Sequence, residues 1–370
     1  MMTKKIGTIK TAAMILIIMT AVYFCLSFPQ EIGQGVEKSI ERCLDIIIPS
    51  MFIFMCLTTF ITMSGAQSIL GLPFKYISEK LFRLPGEGFA VFLLSLISGY
   101  PAGIKLVNDC AEKGYISHEQ KKILSNICCC GGPAFISGTA AKYLYPDSNA
   151  ALLIFLSVIT ANVITALILT RQLPSPGKIS TSGVHIDPGA LIPAVQSASG
   201  AMLQMCIMIV AFGGILSVLK LTGGVDALSL VVSRTLDINA ETVSAVIMSF
   251  LEISNIVALP GMDEAIFPVV TFLLSFGGVC VMMQIAALSE KKDKCFSTKK
   301  FLAVRLCTAL EAGIIGRCLL PFLKITQTDI PCSADFQAVT PTPHHALAAV
   351  VLVVMMGMVK EDSRNIHIKS

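Results

Sequence analysis

Long apolar stretches separated by short polar connections dominate the chain. After a first run from Thr11 to Phe28, further runs cover roughly 46–70, 89–107, 127–142, 149–170, 201–222, 240–259, 265–288 and 300–322. About 20 apolar residues form a helix long enough to cross a hydrocarbon core of ~30 Å. The pattern therefore predicts an α-helical protein that crosses a membrane several times.

The first apolar run follows Lys4, Lys5 and Lys10, an arrangement also typical of a secretory signal peptide. The run is 18 residues long, about 27 Å of helix, and no small-residue cleavage site follows it. We therefore expect a retained first helix with its lysines in the cytoplasm, and a cleaved signal peptide is the alternative. The lysine-rich connection 289–300 is expected on the same side.

An amphipathic segment lies between the first two runs. Apolar residues recur at helical spacing and charged residues occupy the other side, namely Val36, Ile40, Leu44 and Ile47 against Glu37, Lys38, Glu41 and Arg42. We expect this segment to lie along the membrane surface, ahead of a spanning helix from about Ile46 to Leu70.

Glycine and proline interrupt two of the apolar runs. Phe89 to Ile97 covers only nine residues, about 13 Å of helix, before the sequence Ser98-Gly99-Tyr100-Pro101-Ala102-Gly103. The run from residue 127 is interrupted by Gly131-Gly132-Pro133. Proline removes a backbone donor, and unwound backbone at membrane depth is tolerated only against protein or a water-filled cavity. Both segments are therefore candidate broken or re-entrant helices.

The second half of the chain repeats this pattern. An offset of 154 residues aligns Ser95-Leu96-Ile97-Ser98 with Ser249-Phe250-Leu251-Glu252, and Gly131-Gly132 pairs with Gly277-Gly278 once the charged 108–126 segment is treated as an insertion. We expect an all-α polytopic membrane protein with two repeats of spanning and broken or re-entrant helices, inverted as in many transporters. The predicted segments are 1–44 (first helix and interfacial helix), 45–172 (first repeat), 173–198 (linker), 199–325 (second repeat) and 326–370 (tail).

Paired breaks in two halves are the best sequence pointer to a transporter's binding site. Half-helix ends expose unpaired backbone N–H and C=O groups, and an N-terminal end favours anions. The candidate substrate-binding residues are Ser98, Gly99, Tyr100, Pro101, Gly103, Lys105, Gly131, Gly132, Glu252, Ser254, Asn255, Ser275, Gly277 and Gly278.

Glu252 and Lys105 are the charged candidates. An ionisable group with apolar neighbours at membrane depth is functional by default, and Glu252 could carry a coupling H⁺ or hold a cation such as Na⁺. We expect Glu252, Ser254 and Asn255 to face Ser98–Gly103 across the repeat interface. The structural alternatives are that the glycines only kink a helix, that Lys105 snorkels to the interface and that Glu252 is paired within the bundle.

Composition excludes several other classes of protein. Of the 370 residues 54% are hydrophobic and only 14% are charged, whereas soluble domains carry about a quarter. The net charge of +4 gathers into no basic stripe, so nucleic acid is not an expected partner. The expected partners are the lipid bilayer and a small-molecule substrate, and a homo-oligomer is compatible with the sequence.

The 13 cysteines predict neither a metal site nor a cofactor. Cys128, Cys129 and Cys130 would point about 100° apart on a helix, so they cannot converge on one ion, and we expect them to pack as small hydrophobes. No histidine lies in an apolar run before His344, and no nucleophile–base pair is visible. We therefore do not expect an enzyme.

Four motifs resemble the sporulation integral membrane proteins with two nucleoside-recognition (Gate) domains. They are Ser98-Gly99-Tyr100-Pro101-Ala102-Gly103, Cys-Gly-Gly-Pro-Ala-Phe-Ile at 130–136, Leu251-Glu252-Ile253-Ser254 and Ser275-Phe276-Gly277-Gly278. The similarity covers roughly residues 45–325, and the family is distantly similar to concentrative nucleoside transporters. The chain departs from the family in two places: the three cysteines replace polar residues, and Asn255 stands where a glycine is expected.

The resemblance implies that dipicolinate is moved across the outer forespore membrane during sporulation, by a multi-pass protein of the mother-cell side. The alternatives are a nucleoside-type permease and a structural membrane protein of spore-envelope assembly that transports nothing. The resemblance does not cover the tail, whose apolar run 346–359 is only about 21 Å long as a helix.

Overall fold

The computed structural model describes residues 2–145, 148–174, 187–261, 263–290 and 296–322. These residues are almost entirely helical and contain no β-strand, which confirms the expected all-α class. The α-helices in chain order are α1 (Met2–Ser27), α2 (Pro29–Arg42), α3 (Ile48–Ser64), α4 (Gln67–Gly71), α5 (Lys75–Ile77), α6 (Gly86–Ser98), α7 (Ala102–Glu112), α8 (His118–Ile127), α9 (Pro133–Ile136), α10 (Ser148–Thr170), α11 (Leu191–Leu221), α12 (Gly224–Leu236), α13 (Ala240–Leu251), α14 (Phe267–Phe276), α15 (Gly278–Glu290) and α16 (Thr298–Leu319). Tighter 3₁₀ or wider π-helical turns are Cys43–Ile47, Leu72–Phe74, Ser78–Phe82, Ser137–Leu144, Pro188–Ala190, Ile253–Ala258 and Leu320–Phe322.

Four helices of the described residues are long and apolar enough to cross a membrane. They are Pro29–Ser64, Asn149–Thr170, Pro188–Leu221 and Phe267–Leu288, and a fifth span arises if the pair Gln67–Phe82 and Gly86–Ser98, bent by 96°, is counted as one. The polytopic membrane class is therefore confirmed. The predicted span 300–322 forms α16, which falls outside this set because its apolar stretch contains three charged residues, Arg305, Glu311 and Arg317.

The expected interfacial helix is instead continuous with the span that follows it. Pro29–Ser64 is one 36-residue helix, so the predicted boundary at residue 44 lies inside it, and it ends at Gly65 (φ +85°) rather than near Leu70. The amphipathic part, α2, packs along α11. A Cβ on Gly213 would lie 2.8 Å from the carbonyl oxygen of Gly35, so small residues let the two backbones approach closely.

Both halves show the same order of elements. In the first half α3 is followed by helices broken at Gly99 and at 128–132, and α10 closes the half; in the second, α11 is followed by breaks at Glu252 and Gly277, and α16 closes it. The opening helices α3 and α11 pack against each other, as do the closing helices α10 and α16. The breaks lie where glycine, proline and polar residues predicted them. The division into repeats at 172 and 199 stays a prediction.

Several sequence expectations fall outside the description. They concern the side chains of Lys4, Lys5 and Lys10, residues 291–295 of the lysine-rich connection, and the whole tail 326–370. The predicted cytoplasmic side and the apolar run 346–359 therefore stay predictions.

Candidate functional site

The two breaks of the first half pack directly on each other. Gly99 follows α6 with φ +73°, and a Cβ there would lie 2.7 Å from the backbone nitrogen of Gly132. A Cβ on Gly132 would lie 2.8 Å from the carbonyl oxygen of Ile97. Side chains do not approach backbone so closely, so only glycine fits at either position. The two breaks form one compact backbone junction.

Gly103 and the three cysteines extend this junction. A Cβ on Gly103 would lie 2.3 Å from the carbonyl oxygen of Cys128, so α7 rests directly on the second break. Cys128, Cys129 and Cys130 are fully buried in the hydrophobic core, as their expected packing role requires.

Tyr100 joins this junction to the second half of the chain. Its backbone N–H donates to the Cys130 carbonyl at 2.9 Å, and its hydroxyl donates to the Leu274 carbonyl at 3.3 Å. Its ring lies against Gly277, where a Cβ would be 3.0 Å from a ring carbon. Gly131 approaches the same Leu274 carbonyl, with a Cβ position only 2.9 Å from the oxygen. The first-half junction therefore rests on the end of α14.

Glu252 organises the break after α13. Its carboxylate accepts hydrogen bonds from the Ser254 N–H at 2.9 Å, from the Ser254 hydroxyl and from the Asn255 amide at 3.2 Å, and all three residues are buried. A Cβ on Gly278 would lie 3.1 Å from the backbone nitrogen of Ile253. The Gly277–Gly278 break therefore contacts Tyr100 on one side and the Glu252 segment on the other, which makes the expected approach of the two groups indirect.

Arg42, which the sequence placed at a membrane surface, lies beside Glu252 instead. Its guanidinium Nη1 donates to Asn255 Oδ1 at 2.7 Å and lies 4.0 Å from Glu252 Oε2. The Glu252 side chain is 2% exposed and that of Arg42 is 20% exposed. The carboxylate therefore has a basic neighbour that comes from outside both predicted repeats.

Lys105, the predicted receptor for an anion, already has a partner. Its ammonium lies 2.8 Å from Asp109 Oδ2, one helical turn further along α7. Both side chains are about one-fifth exposed, where such pairs contribute at most about 1 kcal/mol. A cation that is neutralised in this way is a weak receptor, so an anion-binding group is better sought elsewhere.

Arg305 is a further basic side chain near the breaks, and the sequence interpretation missed it. It is fully buried in α16, where Nη1 donates to Asn162 Oδ1 at 2.9 Å and Nη2 donates to the Ser275 carbonyl at 2.6 Å. Ser275 is one of the predicted site residues, two positions before Gly277. Arg305 therefore lies beside the junction of the breaks.

Several buried polar atoms near the breaks have no partner among the described residues. They include the hydroxyls of Ser98 and Ser275 and the Nε of Arg305, while Gln67, Asn126 and Gln284 contribute others elsewhere. Most buried polar atoms in native proteins are hydrogen-bonded, because an unpaired one costs about 1–3 kcal/mol. Unpartnered atoms beside the junction are what a ligand or water would satisfy.

A cavity of about 880 Å³ leads to the Glu252 segment. It lies between α2, α11, α12 and α13, and its walls include the exposed residues Lys38, Asp226 and Glu241. Its lining also includes Arg42 and the buried Asn255. The cavity therefore connects the protein surface with the partners of Glu252.

The described residues contain no group of three or more His, Cys, Asp or Glu side chains able to hold a metal ion. Pro101 and the other uncharged site residues are buried around the junction. The predicted site residues thus lie at the breaks of the two halves, and the ammonium of Lys105 is already paired with Asp109 on α7.

The sequence contains a signal for one of the two missed arginines, Arg305, but not for the other, Arg42. Arg305 lies within an apolar run, so the reasoning applied to Glu252, that an ionisable group at membrane depth is functional by default, would have found it. Arg42 carries no such signal, because an amphipathic helix has the same pattern beside lipid headgroups as beside a polar cavity.

Comparison with known proteins supports the sporulation part of the resemblance. The chain is 23% identical over 343 residues to the sporulation integral membrane protein YlbJ of Bacillus subtilis (strain 168), which covers 84% of this chain and 82% of that protein. No protein-family model matches the chain. No solved structure matches it. The chain is thus a multi-pass membrane protein similar to a sporulation protein, and the Gate domains stay a prediction.

Proposed function

We propose that this protein is a transporter of a small metabolite, and that its substrate binds beside the junction where the breaks of both halves meet. The observation that carries this proposal is the convergence of four breaks around Tyr100 and Gly277–Gly278, with buried polar atoms left unpartnered beside them. Unwound backbone at membrane depth is a feature of transporter binding sites.

Glu252 is the coupling residue in this proposal. It is buried, yet its partners Arg42 and Asn255 line a cavity that reaches exposed residues. A carboxylate with such access can exchange an H⁺ or a cation such as Na⁺ with water while it stays in contact with the substrate path. Rearrangement of the Arg42–Asn255–Glu252 contacts would then accompany each transport cycle.

The substrate proposed is dipicolinate, which would cross the outer forespore membrane from the mother cell during sporulation. The similarity to a sporulation membrane protein supports the setting, and the motif resemblance supports the substrate. A nucleoside or related heterocycle is the second candidate, because the same motifs are associated with nucleoside recognition. A structural role in spore-envelope assembly is the third.

Uptake by proteoliposomes separates these candidates. The purified full chain would be reconstituted and supplied with labelled dipicolinate or labelled nucleosides, with and without H⁺ and Na⁺ gradients. We expect gradient-dependent dipicolinate uptake that unlabelled dipicolinate competes and nucleosides do not. Nucleoside uptake alone would select the second candidate, and no uptake of either by protein of intact fold would contradict transport.

A further inference from the structure

Arg305 is a charged side chain where charge is costly. It is fully buried in the middle of α16, whose apolar face packs against α10 and α14. Arginine stays protonated in proteins, so it cannot escape burial by losing its charge. A buried charge is retained when it is paired or when it binds something.

The contacts of Arg305 use only part of its capacity. A guanidinium has five N–H groups, of which two donate here, one to Asn162 Oδ1 and one to the Ser275 carbonyl. The Asn162 amide group donates to the Val158 carbonyl at 2.8 Å, which orients its oxygen towards Arg305. Nε has no acceptor among the described residues.

No described carboxylate neutralises this charge. No Asp or Glu oxygen of the described residues lies within 4.0 Å of Arg305, and Glu311, the acidic residue of α16, accepts from Thr165 at 3.3 Å. The carboxyl end of α14, which includes the Ser275 carbonyl, supplies only about half a negative charge. The site therefore has an excess of positive charge.

Ser275 adds a second donor at the same place. Its hydroxyl is fully buried and unpartnered, on the residue whose carbonyl Arg305 contacts. The preceding carbonyl, that of Leu274, accepts from Tyr100 at the junction of the breaks. A free N–H, a free hydroxyl and an unbalanced positive charge thus occur together at the proposed substrate path.

We propose that Arg305, with the Ser275 hydroxyl, is the binding site for an anionic group, namely a carboxylate of the transported substrate or an inorganic chloride. The assignment of the anion to a carboxylate of the transported substrate rests on the proposed function. The existence of an anion site does not. A structural role, in which Arg305 caps the end of α14 and pairs with Asn162 of α10, explains its two existing bonds. It explains neither the free Nε nor the free Ser275 hydroxyl.

Ligand-induced thermal stabilisation of the full chain in lipid nanodiscs tests this site. The probes are sodium dipicolinate, sodium chloride against sodium gluconate, and pyridine-2,6-dicarboxamide, an uncharged molecule of nearly the same shape. The variants are Arg305→Gln, Arg305→Lys and Ser275→Ala, and the control is Arg317→Gln, which removes an exposed charge from the same helix. A ligand that binds only the folded state raises Tm, and the stabilisation grows with the logarithm of the ratio of ligand concentration to Kd.

We expect dipicolinate to stabilise the wild type and the Arg317→Gln control, and the dicarboxamide to have no effect. Arg305→Gln should weaken dipicolinate binding by roughly 10- to 100-fold, the loss of a charge-assisted hydrogen bond. Ser275→Ala should weaken it by a few-fold and Arg305→Lys by an intermediate factor. A chloride response that is lost in Arg305→Gln, without a dipicolinate response, would assign the site to chloride.

Equal anion responses in the wild type and Arg305→Gln would overturn the proposal. If Arg305→Gln fails to fold, Ser275→Ala decides, and an unchanged affinity there would also overturn it. The flux assay keeps the two proposals distinct: an Arg305-dependent anion response without any uptake contradicts transport and leaves the anion site standing. Uptake that is unaffected in the Arg305 variants contradicts only the assignment of the site to the substrate carboxylate.

Discussion

The two halves of this protein break their helices at corresponding places, yet they fill those places with different chemistry. The first half builds its junction from uncharged residues, in which Gly99, Gly103 and Gly132 allow backbone to touch backbone. In the second half Glu252 heads a hydrogen-bonded turn beside Arg42, and Arg305 lies behind the end of α14. Architecture is shared between the halves, whereas charge is not.

This difference suggests that the two halves have different roles in the proposed transport. A junction of glycine and cysteine is closely packed, so in the proposed transport it would form a rigid wall beside the substrate. The second half, with α2 supplying Arg42, carries the groups that can respond to an ion or to an anionic substrate. The predictions below test each side of this contrast.

The largest effect on stability is expected from adding a side chain to the first-half junction, at Gly99. Gly99→Ala combines a strained backbone (φ +73°, ψ −177°) with a Cβ 2.7 Å from Gly132, and should lower the free energy of unfolding by about 2–5 kcal/mol. Gly114→Ala is the matched control, because φ is +75° there but nothing lies within 4 Å of the Cβ position. Tm in detergent should fall much further for Gly99→Ala, and similar shifts would mean that the close packing does not matter.

A smaller effect is expected at the charged side. Arg42→Gln removes the basic neighbour of buried Glu252 and should lower the free energy of unfolding by about 1–3 kcal/mol. Breaking a fully buried ion pair would lower it further, but Arg42 is partly exposed. Gradient-driven uptake should fall with it, and Arg42→Lys should restore part of the loss. Lys38→Gln, an exposed residue of the same cavity wall, is the control. If both glutamine variants behave alike, Arg42 has no special role.

The smallest effect on transport is expected from the cysteines. Replacing Cys128, Cys129 and Cys130 together with alanine removes three buried thiols that have no assigned chemistry. Stability should fall by about 1 kcal/mol for each small cavity, while uptake per folded molecule stays near the wild-type value. Lost uptake in a well-folded triple variant would show that the wall takes part in transport.

The sequence predicted the helices and their breaks well because both depend on local signals. Hydropathy marks the spans, and residues such as Gly99, Pro101 and Gly277 mark the interruptions wherever the rest of the chain lies. The partners across the fold were not predictable in this way. Lys105 is close in sequence to a break, but the fold pairs its ammonium with Asp109. Arg42 reaches Glu252 only because α2 packs along α11, which no local pattern encodes.

Driven dipicolinate uptake by Glu252→Gln tests the central claim most directly. The substitution keeps the shape of a buried side chain and one acceptor oxygen while it removes the charge, and Glu241→Gln, which changes an exposed carboxylate of the cavity wall, is its control. The account predicts normal insertion, near-normal abundance and a loss of driven uptake of roughly tenfold or more, comparable to removing one charge-assisted hydrogen bond. Uptake at the wild-type rate over the whole pH range would contradict it and leave Glu252 a structural residue.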